Sequence, residues 1–225
     1  MAVAASLARF WSRSEFRCET VAAALALIAV IALSAVALVD PALAGRLTVE
    51  NGVVEWIQVL LEASAAVLFA RHLVRDASRV GRVSPLDVVV VASLIGLVIG
   101  EVDLDRMIFG TKIIATKFFV DARVAFGWRL LAMLVVVGVP LALGVFALVR
   151  IRAFWRDGWA AIAQPWGRVL AASVALAVLT ELFEKPLGHV PGVPRYFLEE
   201  LLELVAGIGF FVSAIGRRSD PPPTR

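Results

Sequence analysis

The chain has 225 residues, 60% of them hydrophobic and only 18% charged, with a mean hydropathy of +0.88, whereas soluble domains average about 45–50% apolar and 25% charged. This excludes a soluble domain and predicts an all-α, polytopic membrane helix bundle with one core. The net charge of +3 does not argue for nucleic acid, because the basic residues sit in short clusters between apolar runs, as topology-setting loops do.

Residues 1–19 interleave Arg9, Arg13 and Arg17 with Phe10, Trp11 and Phe16, the pattern of an amphipathic basic segment lying on a membrane face. Thr20 to Val39 is an unbroken apolar run long enough to cross a bilayer. Ala42-Leu43-Ala44 before Gly45 resembles a signal-peptidase site, but signal cores span about 7–15 residues, so this run is expected to stay as the first span. Further spans are expected from Val53 to Val74, Leu86 to Asp105, Arg129 to Val149, Val169 to Phe183 and Tyr196 to Ile215. Pro140 is expected to kink the fourth. Ser84-Pro85 and Gln164-Pro165 suit helix starts, and Gly188, Pro191, Gly192 and Pro194 break the chain before the sixth. The transmembrane domain thus covers residues 20–215, and the proline-rich tail 216–225 is expected to be disordered.

Lysine and arginine set the orientation. With the N-terminus cytoplasmic, the inner segments hold Arg9, Arg13 and Arg17; Arg71, Arg75, Arg79 and Arg82; Arg150, Arg152, Arg156 and Arg168; and Arg217, Arg218 and Arg225. The outer loops hold the smaller share, Arg46, Arg106, Lys112, Lys117, Arg123, Arg129, Lys185 and Arg195. Six spans with both termini inside follow, in the multi-pass manner of a bacterial inner-membrane protein. The loop from Met107 to Trp128 is long, basic and apolar, and is expected to lie in the interface over the outer mouth of the bundle.

In that topology most acids gather toward the outer side: Asp40, Glu50, Glu55, Glu62, Glu101, Asp103, Asp105, Asp121, Glu181, Glu184, Glu199, Glu200 and Glu203. Glu55, Gln58 and Glu62, spaced i, i+3 and i+7, share one helix face. Glu101 and Asp105 are one turn apart, beside a small-residue strip of Ser93, Gly96 and Gly100 suited to close helix contact. The fifth span offers Ser173, Ala177, Thr180 or Glu181, and Glu184; the sixth offers Glu200, Glu203 and Gly207. At about 1.5 Å per residue, Glu62 lies roughly 13 Å and Glu203 roughly 10 Å in from the outer helix ends, with Glu101 and Glu181 shallower. A carboxylate facing lipid costs on the order of 2.5–3.5 kcal/mol on insertion scales. Glu62, Glu101, Glu181 and Glu203 are therefore expected to converge as the candidate cation or proton site. Glu55, Gln58, Asp103, Asp105, Arg106, Glu184, His189 and Glu200 form its rim.

Simpler roles also fit some of these residues. Glu50, Glu199 and Glu200 suit first-turn positions favoured by the helix dipole, and the Asp103–Arg106 rim suits an ion-pair network. Tyr196, Trp56 and Trp128 suit the interfacial aromatic belt, and His72 an interfacial position.

The Glu101-x-Asp103-Leu104-Asp105-Arg106-x-x-Phe109 stretch resembles the Glu-x-Asp-aromatic-Asp-Lys-x-Phe pattern of a family of uncharacterised bacterial multi-pass inner-membrane proteins. Glu50-Asn51-Gly52-x-x-Glu55 and Glu199-Glu200-x-x-Glu203 are similar to their second and sixth helices, while Gly100, Leu104 and Arg106 depart from the usual arginine, aromatic and lysine. The resemblance implies that these acids act as one unit and brings no activity with it.

Three functions compete on the sequence. Oxygen ligands suit a proton or a hard divalent cation such as magnesium, calcium or manganese, hence a small transporter or cation-binding protein. A carboxylate pair or a metal-held water would suit an intramembrane enzyme acting on a lipid or envelope substrate, although no serine, cysteine or histidine stands in a nucleophile setting. The acids would also suit a basic segment of a protein partner in the envelope. Cys18 is the only cysteine and His72 and His189 the only histidines, too few for a thiolate cluster or a purely histidine-based site.

Overall fold

The computed structural model describes residues 18–49, 52–81, 83–102, 118, 124–187 and 196–217. Among them the fold is all-α, with no strand. Helix α1 (Cys18–Val39) is almost entirely apolar after Glu19 in its first turn and is followed by the short α2 (Pro41–Leu47). The Asp40 side chain accepts from the Leu43 N–H at 2.9 Å, capping α2, and proline occupies its first position, where a missing N–H costs nothing.

Helix α3 (Val53–Val80) begins at Gly52, where a Cβ would stand 2.6 Å from the Leu47 carbonyl oxygen, so only glycine fits the entry. It ends at Gly81, whose φ of 64° supplies the left-handed stop. Helix α4 (Pro85–Glu101) again starts with proline, and α5 (Phe126–Val149) runs as one 24-residue helix. The expected kink at Pro140 takes the form of a π-helical turn, Leu134–Gly138, just before it. Proline cannot donate to the carbonyl four residues back and its ring crowds that carbonyl, so a widened turn absorbs the defect.

Helix α6 (Ile151–Ile162) was not foreseen, and it meets α7 (Pro165–Leu187) at a 110° bend. Helix α8 (Phe197–Gly216) starts from Tyr196, whose φ of 68° turns the chain sharply into the first turn. The helices differ from the expected spans at several ends. The second continues to Val80 rather than Val74, and the fourth starts at Phe126 rather than Arg129.

By length and composition α1, α3 and α5 can cross a membrane, and the bent α6–α7 pair is a fourth candidate. Helix α4 has only 17 residues, fewer than the ~20 a span needs, and α8 opens with Glu199, Glu200 and Glu203. The physical reason is position. Helix α8 is the hub, packed on α7, α3 and α1, so much of its surface meets protein rather than lipid and carries side chains that lipid would reject.

The main core joins Phe69 and Ala65 of α3, Leu94 of α4, Trp166 and Leu170 of α7, and Ala206 and Phe210 of α8. The Phe69 and Trp166 rings lie 6.4 Å apart, tilted by 58°, a favourable edge-directed arrangement. A smaller cluster of Ala44, Phe197 and Leu201 pins α2 to the start of α8. Close helix approach uses glycines other than those expected. Gly96 and Gly100 are exposed, and a Cβ on either would meet nothing within 4 Å. On α8 Gly207 abuts Gln58, Gly209 abuts Ser173 and Gly216 abuts Cys18.

Helices α3 and α8 run parallel, and α1, α4 and α7 run opposite to them. The starts of α1, α4 and α7 meet the ends of α3 and α8: Arg168 pairs with Glu19, Ser213 Oγ donates to the Trp166 carbonyl at 2.9 Å, and Arg217 pairs with Asp87. The opposite end holds Gln58, Glu62 and Glu101.

Candidate functional site

At the end of the bundle away from Arg217, Glu55, Gln58 and Glu62 face inward from α3, with 8%, 2% and 2% of their surface exposed. The i, i+3, i+7 spacing does what helical geometry requires of it. Across from them Glu101 is the last residue of α4, where the helix dipole opposes a negative charge and no basic residue shares the last turn. One amide joins the two helices: Gln58 Nε2 donates to Glu62 Oε1 at 3.4 Å and to Glu101 Oε1 at 3.3 Å.

Both contacts are long, and one donor is divided between two carboxylates. On the far side of the same groups, Gln58 Oε1 and Glu62 Oε2 are buried without any hydrogen-bond partner. Orphaned buried acceptors are rare because each forfeits its hydration. On two side chains one helical turn apart, they describe a place that lacks a donor or a cation.

These groups line one end of a cavity of about 800 Å³. Its floor is α3 and α8, contributing Gln58, Glu62, Glu203, Ala206 and Phe210. One wall is the α4 face from Leu86 through Val90, Ser93 and Leu97 to Glu101; the other is the α7 face from Gly167 through Leu170, Ala171 and Val174 to Val178. Both follow the three-to-four residue period of one helix face. Helix α4 packs on α3, α5 and α6, and α7 on α8, α6 and α1, so the space between α4 and α7 is the cavity. Helix α6 crosses its other end with Phe154, Trp155, Gly158 and Trp159, the two tryptophan rings stacked 6.1 Å apart. Apart from the acidic end and Ser93 the lining is apolar.

Of the four carboxylates expected to converge, Glu62 and Glu101 share a donor and Glu203 lines the same cavity. Glu181 lies in α7, but its side chain is outside the described residues, as is that of Glu184. Asp103, Asp105, Arg106 and His189 also lie outside the described residues, as do most of the Met107–Trp128 loop, residues 1–17 and residues 218–225. Glu200 is buried in the first turn of α8. Ser173 and Thr180 are buried, as expected from their face, and each donates to the carbonyl one turn back. Trp56 and Trp128 are half exposed, which suits an interfacial belt. Among the described residues no three of His, Cys, Asp and Glu come together to hold a metal ion. The donor set is two carboxylates and an amide carbonyl.

The opposite end holds a polar cluster that the sequence did not reveal. Asp87, 2% exposed at the start of α4, pairs with both guanidinium nitrogens of Arg217, and Arg217 Nη2 also reaches Asp76 Oδ2 at 3.5 Å. The guanidinium lies 5.1 Å from the Trp166 ring centre and 5.8 Å from that of Phe69, within cation–π range. Arg217 thus ties α8 to α3, α4 and α7. It belongs to the packed bundle rather than to a tail, and Gly216 before it is buried. His72 is corrected as well. Instead of lying in the interface it is buried, with Nε2 3.3 Å from the Ala214 carbonyl oxygen. In the sequence Arg217 is one topology charge among several and Asp87 is not among the candidate residues; its one available signal is an acid set directly before four valines, Val88 to Val91.

Compared with protein-family models, with curated proteins and with solved structures, the chain matches none.

Proposed function

We propose that this is a multi-pass protein of the bacterial inner membrane, with six spans and both termini cytoplasmic, whose outer-end carboxylates bind a proton or a hard cation. In this reading it is a small transporter or cation-binding protein. Glu62 and Glu101 are the binding groups, Gln58 positions them, and Glu203 completes the acidic end. The observation that carries the reading is the divided amide: Gln58 donates to both carboxylates while Gln58 Oε1 and Glu62 Oε2 stay buried without partners. A proton on Glu62, or a cation beside it, supplies the partner that Gln58 Oε1 and Glu62 Oε2 lack. With two carboxylates and one carbonyl as donors, the proton fits better than a divalent ion, which takes six or more oxygens.

Further support comes from the shape of the cavity. It extends from these acids to Leu86, next to the buried Asp87–Arg217 pair, so polar groups stand near both of its ends, as a path through the bundle requires. The resemblance at Glu101 to Phe109 likewise groups the acids of the third span with those of the second and sixth.

The test is thermal unfolding of the purified protein, titrated with acid and separately with magnesium, calcium and manganese, for wild type and Glu62→Gln. Stabilisation by protons or by one of the ions, absent from Glu62→Gln, is the expected result. Identical responses of the two proteins to every addition would overturn the reading.

A further inference from the structure

The acidic end is one terminus of a long apolar space, and the two must be explained together. The α4 face that lines it runs from Leu86 to Glu101, fifteen residues or about 22 Å at the helical rise. A site for a bare proton or a small ion needs no such volume, and about 800 Å³ lies within the range of pockets that enclose drug-sized organic molecules. The walls are aliphatic, with aromatic rings at the α6 end, so the body of the occupant is apolar and elongated.

The polar end selects the head group. At the end of the cavity, Gln58 Oε1 and Glu62 Oε2 are buried acceptors without a hydrogen-bond partner, and the one amide donor there is already divided between the carboxylates. An anionic head would meet two carboxylates. A hydroxyl carries a single proton to donate. A primary ammonium offers three N–H donors and a positive charge, and charge-assisted bonds are about twice as strong as neutral ones.

We propose that the space between α4 and α7 binds an amphiphile with a primary amine head, its ammonium between Glu62 and Gln58 and its apolar body extending toward Trp155 and Trp159. This rests on the cation-site reading and names the class of cation.

The experiment uses the full chain in phosphatidylcholine nanodiscs, with a long-chain alkylamine brominated near its tail as probe and quenching of tryptophan fluorescence as readout. The alcohol of the same chain length is the control. Wild type should quench saturably, with half-saturation at an amine mole fraction about tenfold below that of the alcohol. Glu62→Gln should abolish that preference. Ala171→Phe/Ala175→Phe enlarges two exposed side chains that line the cavity, so it fills the space without overpacking the core. It should remove saturable quenching by either probe. Trp155→Phe/Trp159→Phe should remove most of the quenchable signal.

Equal quenching by amine and alcohol in wild type, or unchanged quenching in the double phenylalanine variant, would overturn the proposal. The Glu62-dependent effect of pH and of divalent ions on thermal stability, measured on the same preparations, separates the two readings. Its persistence leaves the cation site standing without the amphiphile, and its absence removes both.

Discussion

Glu62→Gln replaces one buried carboxylate by a neutral group of the same shape, and its effect follows from the contacts. Glu62 Oε1 and Glu101 Oε1 lie 3.4 and 3.3 Å from one nitrogen, so the two oxygens are within about 7 Å of each other. At an effective dielectric constant of about 20, two unit charges at that separation repel by about 2 kcal/mol. The substitution removes this repulsion and keeps an acceptor facing Gln58 Nε2. In a chain of this size each kcal/mol moves the melting temperature by about 2–4 °C, so in the absence of added cation Tm should rise by about 4–8 °C. Tryptophan fluorescence during heating in mild detergent with a chelator reads it directly. The gap over wild type should widen as pH rises, because ionising the second carboxylate adds the repulsion that the variant lacks. A cation held at 100 times its dissociation constant stabilises wild type by about 2.7 kcal/mol and should close the gap. A fall in Tm of similar size, without cation and across the pH range, would refute the reasoning, since it would make the Glu62 charge part of the framework.

Two further outcomes test the framework. Arg217→Met leaves Asp87 buried without its main partner, which should cost about 3–5 kcal/mol. Combining it with Asp87→Leu should recover most of that loss in a double-mutant cycle of thermal stabilities, and additive losses would show that the pair is not coupled. At the α6–α7 corner a Cβ on Gly167 would run into the backbone carbonyl of Ala161, which cannot rotate away as a side chain can. Gly167→Ala should therefore lower Tm and move α6, seen as faster hydrogen exchange over 151–162, whereas Gly96→Ala, with open space around it, should leave both unchanged.

By itself the sequence determined the local features. Apolar runs gave the helical, membrane-embedded character, because a bilayer tolerates only backbone that bonds to itself. The i, i+3, i+7 spacing placed Glu55, Gln58 and Glu62 on one inward face, because 3.6 residues per turn leaves no alternative. Proline at the starts of α4 and α7 punctuated the chain as expected. The expectation for Ser93, Gly96 and Gly100 failed. Small residues permit close helix contact, but whether another helix comes near is not a property of the strip itself.

Only the tertiary structure decided which of many acids meet and what they meet around. Gln58 finds Glu101 43 residues away, and Arg217 finds Asp87 across 130; no periodicity reaches that far, since the first pairing depends on α4 packing on α3 and the second on where α8 ends beside the start of α4. The cavity is a product of the same packing. It exists because α4 leans on α3, α5 and α6 while α7 leans on α8 and α1, and the gap between two helices cannot be read from either one. That gap gives the carboxylates a long apolar space to face, in place of another charged wall.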